Sequence, residues 1–562
     1  MDKLKVISEV KSFLDGENDE LQHIVNVEAD KNTNYANCII QEPNGEKNLK
    51  QIEYEPFLFV KDLKSRGIFL YNNDRELIKY KMFQHGIKFK SLKTENQERL
   101  ENGFKYKVTS SKSFQNIILF FKEGGIDIYE KKKNSRGKVI KDKNDRPYFV
   151  NRHLFYNVKP EEQFFINKKT RLYKGYEHYS DIHKMIFDIE TSGLRWSISR
   201  IFSIGVKDNF GYEKILEVEK EDDDESEKKV IIDFFKTINE LVPSVICGYN
   251  SEEFDFDFII ERANILDIDL SKIQTTLNKD YKIKRRESNV NIGNESLKYM
   301  STIIWGTSVI DIFHSVKKAA VIDTDIKEFG LKYICRYNDI AKENRMYIDG
   351  DDDGIYKMWK DNKMFFINPK NNEYIQIPEK HQETGKNLYK LQNTSEQLSN
   401  EEYKKIRDNI LKKDEEFVDW YKNNCLEKNY TKVIIGKQIL NQYLLDDLWE
   451  TEQIDNLYNQ SSFLLAKIIP TTYTKICTMG TASVWNLLMT AWSYDNDIAI
   501  PDSDDKTKFS GGLSRCFKKG YNEDVIKIDF ASLYPMIQLT YDVFPIFDVT
   551  NIIKKMLLYM TT

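Results

Sequence analysis

The order of hydrophobic and polar positions predicts short strands that alternate with helices in the middle of the chain. Met185–Phe187 is an apolar run typical of a buried strand, and residues 200–208 predict a second strand beside it. Residues 219–229 form a charged run that predicts an exposed loop, and residues 230–242 open an amphipathic helix. Residues 244–266 predict a strand, a turn and a helix. This alternation favours an α/β sheet whose strand ends hold the ligand.

The regions on either side of this predicted sheet also contain regular patterns. Residues 34–63 alternate apolar and polar positions around a turn at Pro43–Gly45, which predicts a β-hairpin within a mixed α/β N-terminal domain. The basic run 131–143 fits either a contact with a phosphate backbone or a solvated loop. Residues 432–454 predict a helix, and Asp524–Asp542 predicts a buried strand, a turn and an apolar helix.

Length and composition are those of a globular protein with several domains. The 562 residues are enough for about three or four domains, and a hydrophobic fraction of 40% argues against global disorder. The 84 basic and 89 acidic residues give a net charge of -5. Any contact with nucleic acid must therefore come from a local basic face rather than from a basic whole.

The spacing of the cysteines and the lengths of the apolar segments indicate the cellular compartment of the protein. Six cysteines occur without a C-x-x-C pair, which argues against zinc ribbons and iron–sulfur clusters and indicates reduced thiols. We find neither a signal peptide nor an apolar window near the roughly 20 residues of a membrane span. We therefore expect a cytoplasmic protein without membrane contact, located in the host cytoplasm if it is viral.

Two acids follow the first predicted strand. Asp188 and Glu190 lie on one face of its end, because strand side chains alternate. Two buried carboxylates this close repel each other, so the pair implies a compensating cation, and hard oxygen ligands favour Mg²⁺ or Mn²⁺. The alternative is an exposed strand end with two solvated acids.

Two later segments carry further acids. Asp255 lies at the start of the helix within 244–266 and can face the strand acids, although Asp257 is a competitor and simple helix capping is possible for both. On the helix predicted over 432–454, Tyr443 and Asp447 share one face, whereas Asp446 points elsewhere.

The order D-x-E, Y-N-x-x-x-F-D, Y-x-x-x-D resembles the motifs of proofreading 3′ to 5′ exonucleases of the DEDD class with tyrosine. The resemblance implies an RNase H-like domain in which four acids hold two Mg²⁺ or Mn²⁺ ions on a phosphodiester. It further implies that Asp188 bridges the ions, that Glu190 and Asp447 complete one site and that Asp255 serves the other. Tyr443 would orient the attacking water. Phe254 is a candidate for stacking on single-stranded DNA, or a core phenylalanine.

The segment DFASLYP closely resembles motif A of family B DNA polymerases, written D-x-x-S-L-Y-P. The resemblance implies a second site with two ions, in which Asp529 is a metal ligand and Phe530 adds a backbone carbonyl. Ser532, Leu533 and Tyr534 would bind the incoming triphosphate, since turn amides suit phosphate.

Residues 509–520 resemble the Gly-Gly linker that contacts the template strand in the same family. Gly511 and Gly512 would allow close backbone approach, and Arg515 offers charge to a phosphate. A plain flexible linker remains the alternative.

Two signatures of family B enzymes are missing after Asp542, namely K-x-x-x-N-S-x-Y-G and a hairpin Asp-Thr-Asp. One aspartate cannot hold two ions for nucleotidyl transfer, so we expect no polymerisation by this chain alone. A second polypeptide would supply the fingers, the remaining palm and the thumb, or the chain is a truncated product. Uncovered apolar residues around motif A, such as Ile537 and Leu539, also predict a partner.

Together these patterns predict the N-terminal part of a phage-type, replicative family B DNA polymerase with a proofreading exonuclease. Its fold would combine α/β and α+β domains: an N-terminal domain (1–145), the exonuclease (146–456), a segment returning to the N-terminal domain (457–501) and a partial palm (502–562). DNA, dNTPs, a second polypeptide and a sliding clamp are the expected partners. A free-standing 3′ to 5′ exonuclease and a non-catalytic DNA-binding or assembly subunit are the alternatives.

Overall fold

The computed structural model contains several packed sheets and helices, as expected for a mixture of α/β and α+β domains. It describes residues 3–61, 85–93, 103–123, 129–131, 138–141, 146–147, 149–151, 154–155, 158–272, 277, 283–340, 342–348, 352–501, 515–516, 518–521, 523–526, 528–530, 532–541 and 555–556. No helix in these ranges combines the length and the apolar character that a membrane-spanning segment needs.

The N-terminal region forms small antiparallel sheets. Its elements are α1 Lys3–Asp15, β1 Ile24–Ala29, β2 Tyr35–Gln41, β3 Lys47–Glu53, β4 Phe57–Lys61, β5 Ile87–Ser91, β6 Phe104–Ser110, α2 Phe114–Glu123, β7 Tyr129–Lys131, β8 Phe149–Asn151, β9 Leu154–Phe155 and α3 Pro160–Lys168. The sheets have the orders β1-β2-β3, β5-β6-β4-β9 and β7-β8. The predicted hairpin is confirmed as β2 and β3, whose turn uses Gly45 at φ +88. Most of the basic run 131–143 lies outside the described residues.

The middle of the chain forms a five-stranded sheet with the order β12-β11-β10-β13-β16. Its elements are β10 Lys184–Thr191, β11 Ile201–Asp208, β12 Glu213–Glu217, α4 Asp224–Leu241, β13 Val245–Gly248, α5 Asp255–Ile265, β14 Lys284–Ile292, β15 Glu295–Ile303, β16 Ser308–Asp311, α6 Ile312–Ala320 and α7 Leu331–Tyr337. β10 is antiparallel to β11 and parallel to β13, which is parallel to β16. The predicted α/β sheet is confirmed.

The charged run 219–229 is not the loop that we expected. Helix α4 begins at Asp224, because Asp223 caps it by accepting a hydrogen bond from Ser226 N at 2.8 Å. Glu227 is buried and pairs with Arg262 Nη2 at 2.6 Å. The run from Asp224 onwards therefore belongs to a packed helix. Its buried Glu227 is tolerated there because Arg262 compensates the charge of this side chain.

The following elements are α8 Asp352–Asp361, β17 Met364–Ile367, β18 Tyr374–Gln376, α9 Gln382–Asn393, α10 Asn400–Leu411, α11 Glu415–Asn424, β19 Lys432–Ile435, α12 Gly436–Ala466, α13 Tyr473–Thr478, α14 Thr481–Asn496 and α15 Leu533–Tyr541. Short 3₁₀ helices occur at Tyr179–Asp181, Leu270–Lys272, Glu379–His381 and Ser395–Gln397. The helix predicted over 432–454 was wrong at both ends. β19 pairs with β17, and α12 continues to Ala466 because its apolar face stays buried.

Helix α12 packs across the central sheet and is fixed to its middle strand. Lys184 Nζ lies 2.8 Å from Asp455 Oδ2, and both side chains are buried. Asn459 Nδ2 donates to the other oxygen of Asp455 at 2.8 Å. The helix is continuous across the domain boundary expected at 456, and Lys107 Nζ reaches Asp497 at 2.7 Å. The domain boundaries themselves stay predictions.

Candidate metal centre

The middle strand of the sheet delivers two acids to one face. Asp188 and Glu190 lie in the C-terminal half of β10, which is flanked by β11 and β13. Met185, Ile186 and Phe187 are fully buried, so the strand cannot shift without exposing core side chains. The position of both carboxylates is thus determined by the packing of the sheet.

Helix α12 brings a third acid to this pair. One carboxylate oxygen each of Asp188, Glu190 and Asp447 lies within 4.8 Å of the others. Glu190 and Asp447 are buried. Three close carboxylates with little water around them repel strongly, and hard oxygen donors suit Mg²⁺ or Mn²⁺. The donor set therefore fits a divalent cation.

Asp255 lies beside Asp188, at the N-terminus of α5. Its Oδ1 accepts a hydrogen bond from Ile189 N at 3.2 Å, and its side chain is buried. Burial and the neighbouring charge of Asp188 raise the pKa of Asp255 well above its usual value. Burial also raises the pKa of Asp188. Both shifts disfavour the charged forms of these carboxylates, which a bound cation would favour.

The turn that precedes Asp255 is organised by Asp311, which sequence reasoning missed. Asp311 lies at the end of β16 and accepts hydrogen bonds from Asn250 N (2.9 Å), Glu252 N (3.1 Å) and Phe313 N (3.0 Å). Asn250 takes a left-handed conformation with φ +62. An acid after a buried strand is the signal that identified Asp188, and the segment SVID repeats it.

Tyr443 lies one turn before Asp447 on α12 and is partly buried. Burial and the charges of Glu190 and Asp188 raise the pKa of its hydroxyl. The phenol therefore stays protonated at neutral pH and can donate a hydrogen bond near the acids.

Two basic residues adjoin the acids, and sequence reasoning missed both. Lys332 Nζ contacts Asp447 Oδ1, and Arg345 Nη2 lies 2.5 Å from the same oxygen. These cations partly neutralise Asp447. Both side chains lie about a hundred residues before Asp447 in the sequence, so no short motif could have linked them to it.

The competing acids and Phe254 lie in other environments. Asp257 pairs with Arg285, and Asp446 accepts a hydrogen bond from Met346 N at 2.7 Å. Phe254 precedes α5 and lies 5.6 Å from the ring of Phe258, partly buried against the core. Its role in DNA binding stays a prediction.

The strand predicted before Asp529 is absent from the described residues of that segment. The described residues of 525–530 form no strand, and their apolar side chains are exposed, with Ile528 at 85%. A strand needs a pairing partner, and the described part of the chain provides none here. Asp529 Oδ1 accepts a hydrogen bond from Phe530 N at 2.8 Å.

The predicted helix after this segment is confirmed as α15, and Ser532 precedes it with φ +52. Leu533 and Tyr534 open the helix and are exposed. Among the residues that the structure describes, Asp529 belongs to no cluster of metal-binding side chains. Arg515 is exposed, and Gly511 and Gly512 lie outside the described residues. The polymerase site residues therefore stay predictions.

The model of the family B DNA polymerase exonuclease domain matches residues 197–334 of this chain. This range contains Asp255 and Asp311. DNA polymerase 2 of Aeropyrum pernix is 37% identical over 91 residues, which are 16% of this chain and 11% of that protein.

The family B DNA polymerase from the hyperthermophilic archaeon Pyrobaculum calidifontis matches the fold with a TM-score of 0.52 and 13% identity. The match covers 92% of this chain and 56% of that structure, so the chain spans about half the length of this relative. The relative is archaeal, and the expected phage-type origin stays a prediction.

Proposed function

This chain is similar to family B DNA polymerases and carries their exonuclease domain, and on this premise we propose that it removes nucleotides from the 3′ end of DNA. The observation that carries the proposal is the convergence of Asp188, Glu190 and Asp447 within 4.8 Å beside a buried Asp255. A phosphodiester brings negative charge to these acids, so hydrolysis there requires divalent cations.

Two ions, Mg²⁺ or Mn²⁺, would supply stabilisation of the attacking and leaving oxygens when bound. Asp188 lies within 4.8 Å of Glu190 and Asp447 and is also next to Asp255, so it would be a ligand shared by the two ions. Glu190 and Asp447 would complete one site, and Asp255 the other. The protonated hydroxyl of Tyr443 would orient the attacking water, and Phe254 would contact the single-stranded end.

The test is shortening of end-labelled single-stranded DNA in the presence of Mg²⁺. We expect Asp188→Ala to lower the rate at least about a hundredfold. Asp257→Ala is the matched control, since it removes an acid of α5 that pairs with Arg285 and leaves the cluster intact. Equal rates for Asp188→Ala and the wild type would refute the proposal.

We also propose a role for Asp529 in DNA synthesis, together with further polymerase segments supplied by a second polypeptide. The resemblance of DFASLYP to motif A supports this role. The exposed apolar side chains around it, including Ile526 at 83%, favour a covering partner. In this proposal Ser532 to Tyr534 would bind dNTPs, Phe530 would add a carbonyl ligand, and a sliding clamp would be a further partner.

Primer extension with four dNTPs tests this second role. We expect no extension by the chain alone, and extension that depends on Asp529 once the complementary polymerase segments are added. Extension by the chain alone, or extension unaffected by Asp529→Ala in the complemented reaction, would contradict it.

A further inference from the structure

A buried arginine outside the set of acids contacts two carboxylates of α12. Arg345 lies between α7 and α8, and its side chain is 1% exposed. Nη2 lies 2.5 Å from Asp447 Oδ1, and Nη1 lies 3.1 Å from Glu450 Oε2. Asp447 and Glu450 are three residues apart and share one helix face, so one planar guanidinium meets both.

The same guanidinium also faces the ring of Tyr443. Its central carbon lies 5.3 Å from the ring centroid. A cation within about 6 Å of an aromatic face is attracted to it. Because Tyr443 precedes Asp447 by one turn, Arg345 restrains both the phenol and the carboxylate.

The segment that carries Arg345 is itself fixed to α12. Asp446, which is fully buried, accepts hydrogen bonds from Met346 N at 2.7 Å and from Lys342 Nζ at 2.8 Å. This explains a buried acid that the metal centre does not use. Asp446 holds the segment, and the segment delivers Arg345 to Asp447.

Glu450 gives the arginine a second carboxylate. Metal ions at Asp447 would compete with the guanidinium for the same oxygen, since both are cations. A buried guanidinium without a partner is costly. Glu450 is 1% exposed and not part of the metal cluster, so it can keep Arg345 in place when Asp447 binds metal.

We propose that Arg345 is a positioning residue of the exonuclease site, which aligns Tyr443 and Asp447. Glu450 would hold the guanidinium in place when Asp447 binds metal. The inference rests on the proposed function. It assigns separate tasks to three neighbouring acids of α12: Asp446 holds the segment, Asp447 binds metal and Glu450 holds the arginine.

The test uses the full chain with two readouts, namely Mn²⁺ binding by calorimetry and the kcat of DNA shortening. Arg345→Lys keeps the charge but cannot span both acids, so we expect kcat to fall about tenfold while Mn²⁺ binding changes little. Glu450→Gln leaves the guanidinium on Asp447, so we expect Mn²⁺ to bind about tenfold more weakly. Lys207→Gln removes a cation that pairs with Glu452 of α12, away from the acid cluster, and is the matched control, expected to change neither readout.

Three outcomes would overturn the inference: unchanged Mn²⁺ binding in Glu450→Gln, an unchanged kcat in Arg345→Lys, or equal losses of binding and kcat in Arg345→Lys. If the wild type binds Mn²⁺ but does not shorten DNA, the proposed function fails and the Glu450→Gln titration still decides the inference. Thermal unfolding identifies a variant that does not fold. If Arg345→Lys does not fold, the Glu450→Gln titration is decisive, and if Glu450→Gln does not fold, the comparison of kcat with Mn²⁺ binding in Arg345→Lys is decisive.

Discussion

At the scale of single residues, the candidate site contains groups that bind and groups that only place others. Tyr443 and Asp311 illustrate the two kinds. Tyr443 offers a protonated hydroxyl to the acid cluster, whereas Asp311 accepts three backbone N–H groups and fixes the turn before Asp255. Substitutions at these positions should separate catalysis from placement.

Tyr443→Phe removes the hydroxyl and keeps the ring that packs under Arg345. We expect kcat to fall about tenfold to a hundredfold, because loss of a hydrogen bond that orients the attacking water costs about 1–3 kcal/mol. Mn²⁺ binding by calorimetry should be unchanged, because the acids remain. A matching loss of Mn²⁺ binding would instead mean that the phenol supports the acids.

Asp311→Asn replaces one acceptor oxygen by an NH₂ group, which cannot accept a hydrogen bond. We expect a loss of about 1–3 kcal/mol in the free energy of unfolding and a lower exonuclease rate, since Asp255 loses its fixed turn. Asp414→Asn is the control, because Asp414 caps α11 by accepting from Phe417 N. The control should lose stability without losing rate, and equal rate losses would contradict the argument.

At the scale of elements, α12 can approach the sheet because β11 carries a glycine. A Cβ at Gly205 would lie 2.8 Å from Leu444 Cγ and 2.9 Å from Leu448 Cδ1. Both leucines are fully buried and flank Asp447. The close contact therefore determines the height of the third acid above the sheet.

Gly205→Ala should push α12 outwards. We expect a loss of about 1–3 kcal/mol in the free energy of unfolding from overpacking, and weaker Mn²⁺ binding because Asp447 moves. Gly330→Ala is the control, since a Cβ there meets nothing within 4 Å and φ is -67. Denaturant unfolding and calorimetry measure both effects. Unchanged Mn²⁺ binding in Gly205→Ala would show that Asp447 does not depend on this contact.

Elements with a strong local pattern could be predicted from the sequence. The strand that carries Asp188 and the helix starting at Asp255 follow from apolar runs next to acids, although the strand continues past Asp188 to Thr191. β19 could not be predicted, because it is a strand only through pairing with β17. Arg345 has no local signature either, since its partners lie on α12, about a hundred residues later. The segment before Asp529 illustrates the converse. It has the sequence pattern of a strand, but its described residues form none, because no other described strand pairs with it.

At the scale of the whole molecule, the N-terminal sheet docks on the central sheet through polar contacts. Asn26 Nδ2 donates to Ser244 O at 2.8 Å, and Glu28 Oε1 accepts from Gly306 N at 3.0 Å. Burial raises the pKa of Glu28 to about 7. The docking contact therefore involves an acid that the fold prefers in its neutral form.

Glu28 should make the folded protein less stable as pH rises from about 4.5 to 7. In that window the folded state binds a proton that the unfolded chain releases, so the contribution is favourable at low pH and is lost through the folded pKa. We expect Glu28→Gln to gain about 1–3 kcal/mol over the wild type between pH 4.5 and 7.5. Urea unfolding at several pH values measures this difference. Glu46→Gln controls for loss of an exposed acid, and parallel curves for wild type and Glu28→Gln would contradict the expectation.

Helix α12 meets two requirements at once over a length of about 46 Å. Asp447 must face Asp188, and Asp455 must face the buried amine of Lys184. One inserted residue between them would rotate the rest of the helix by about 100° and break one of these contacts. Among proteins that share this site, we therefore expect the eight-residue spacing from Asp447 to Asp455 to exclude insertions and deletions, even where most side chains differ.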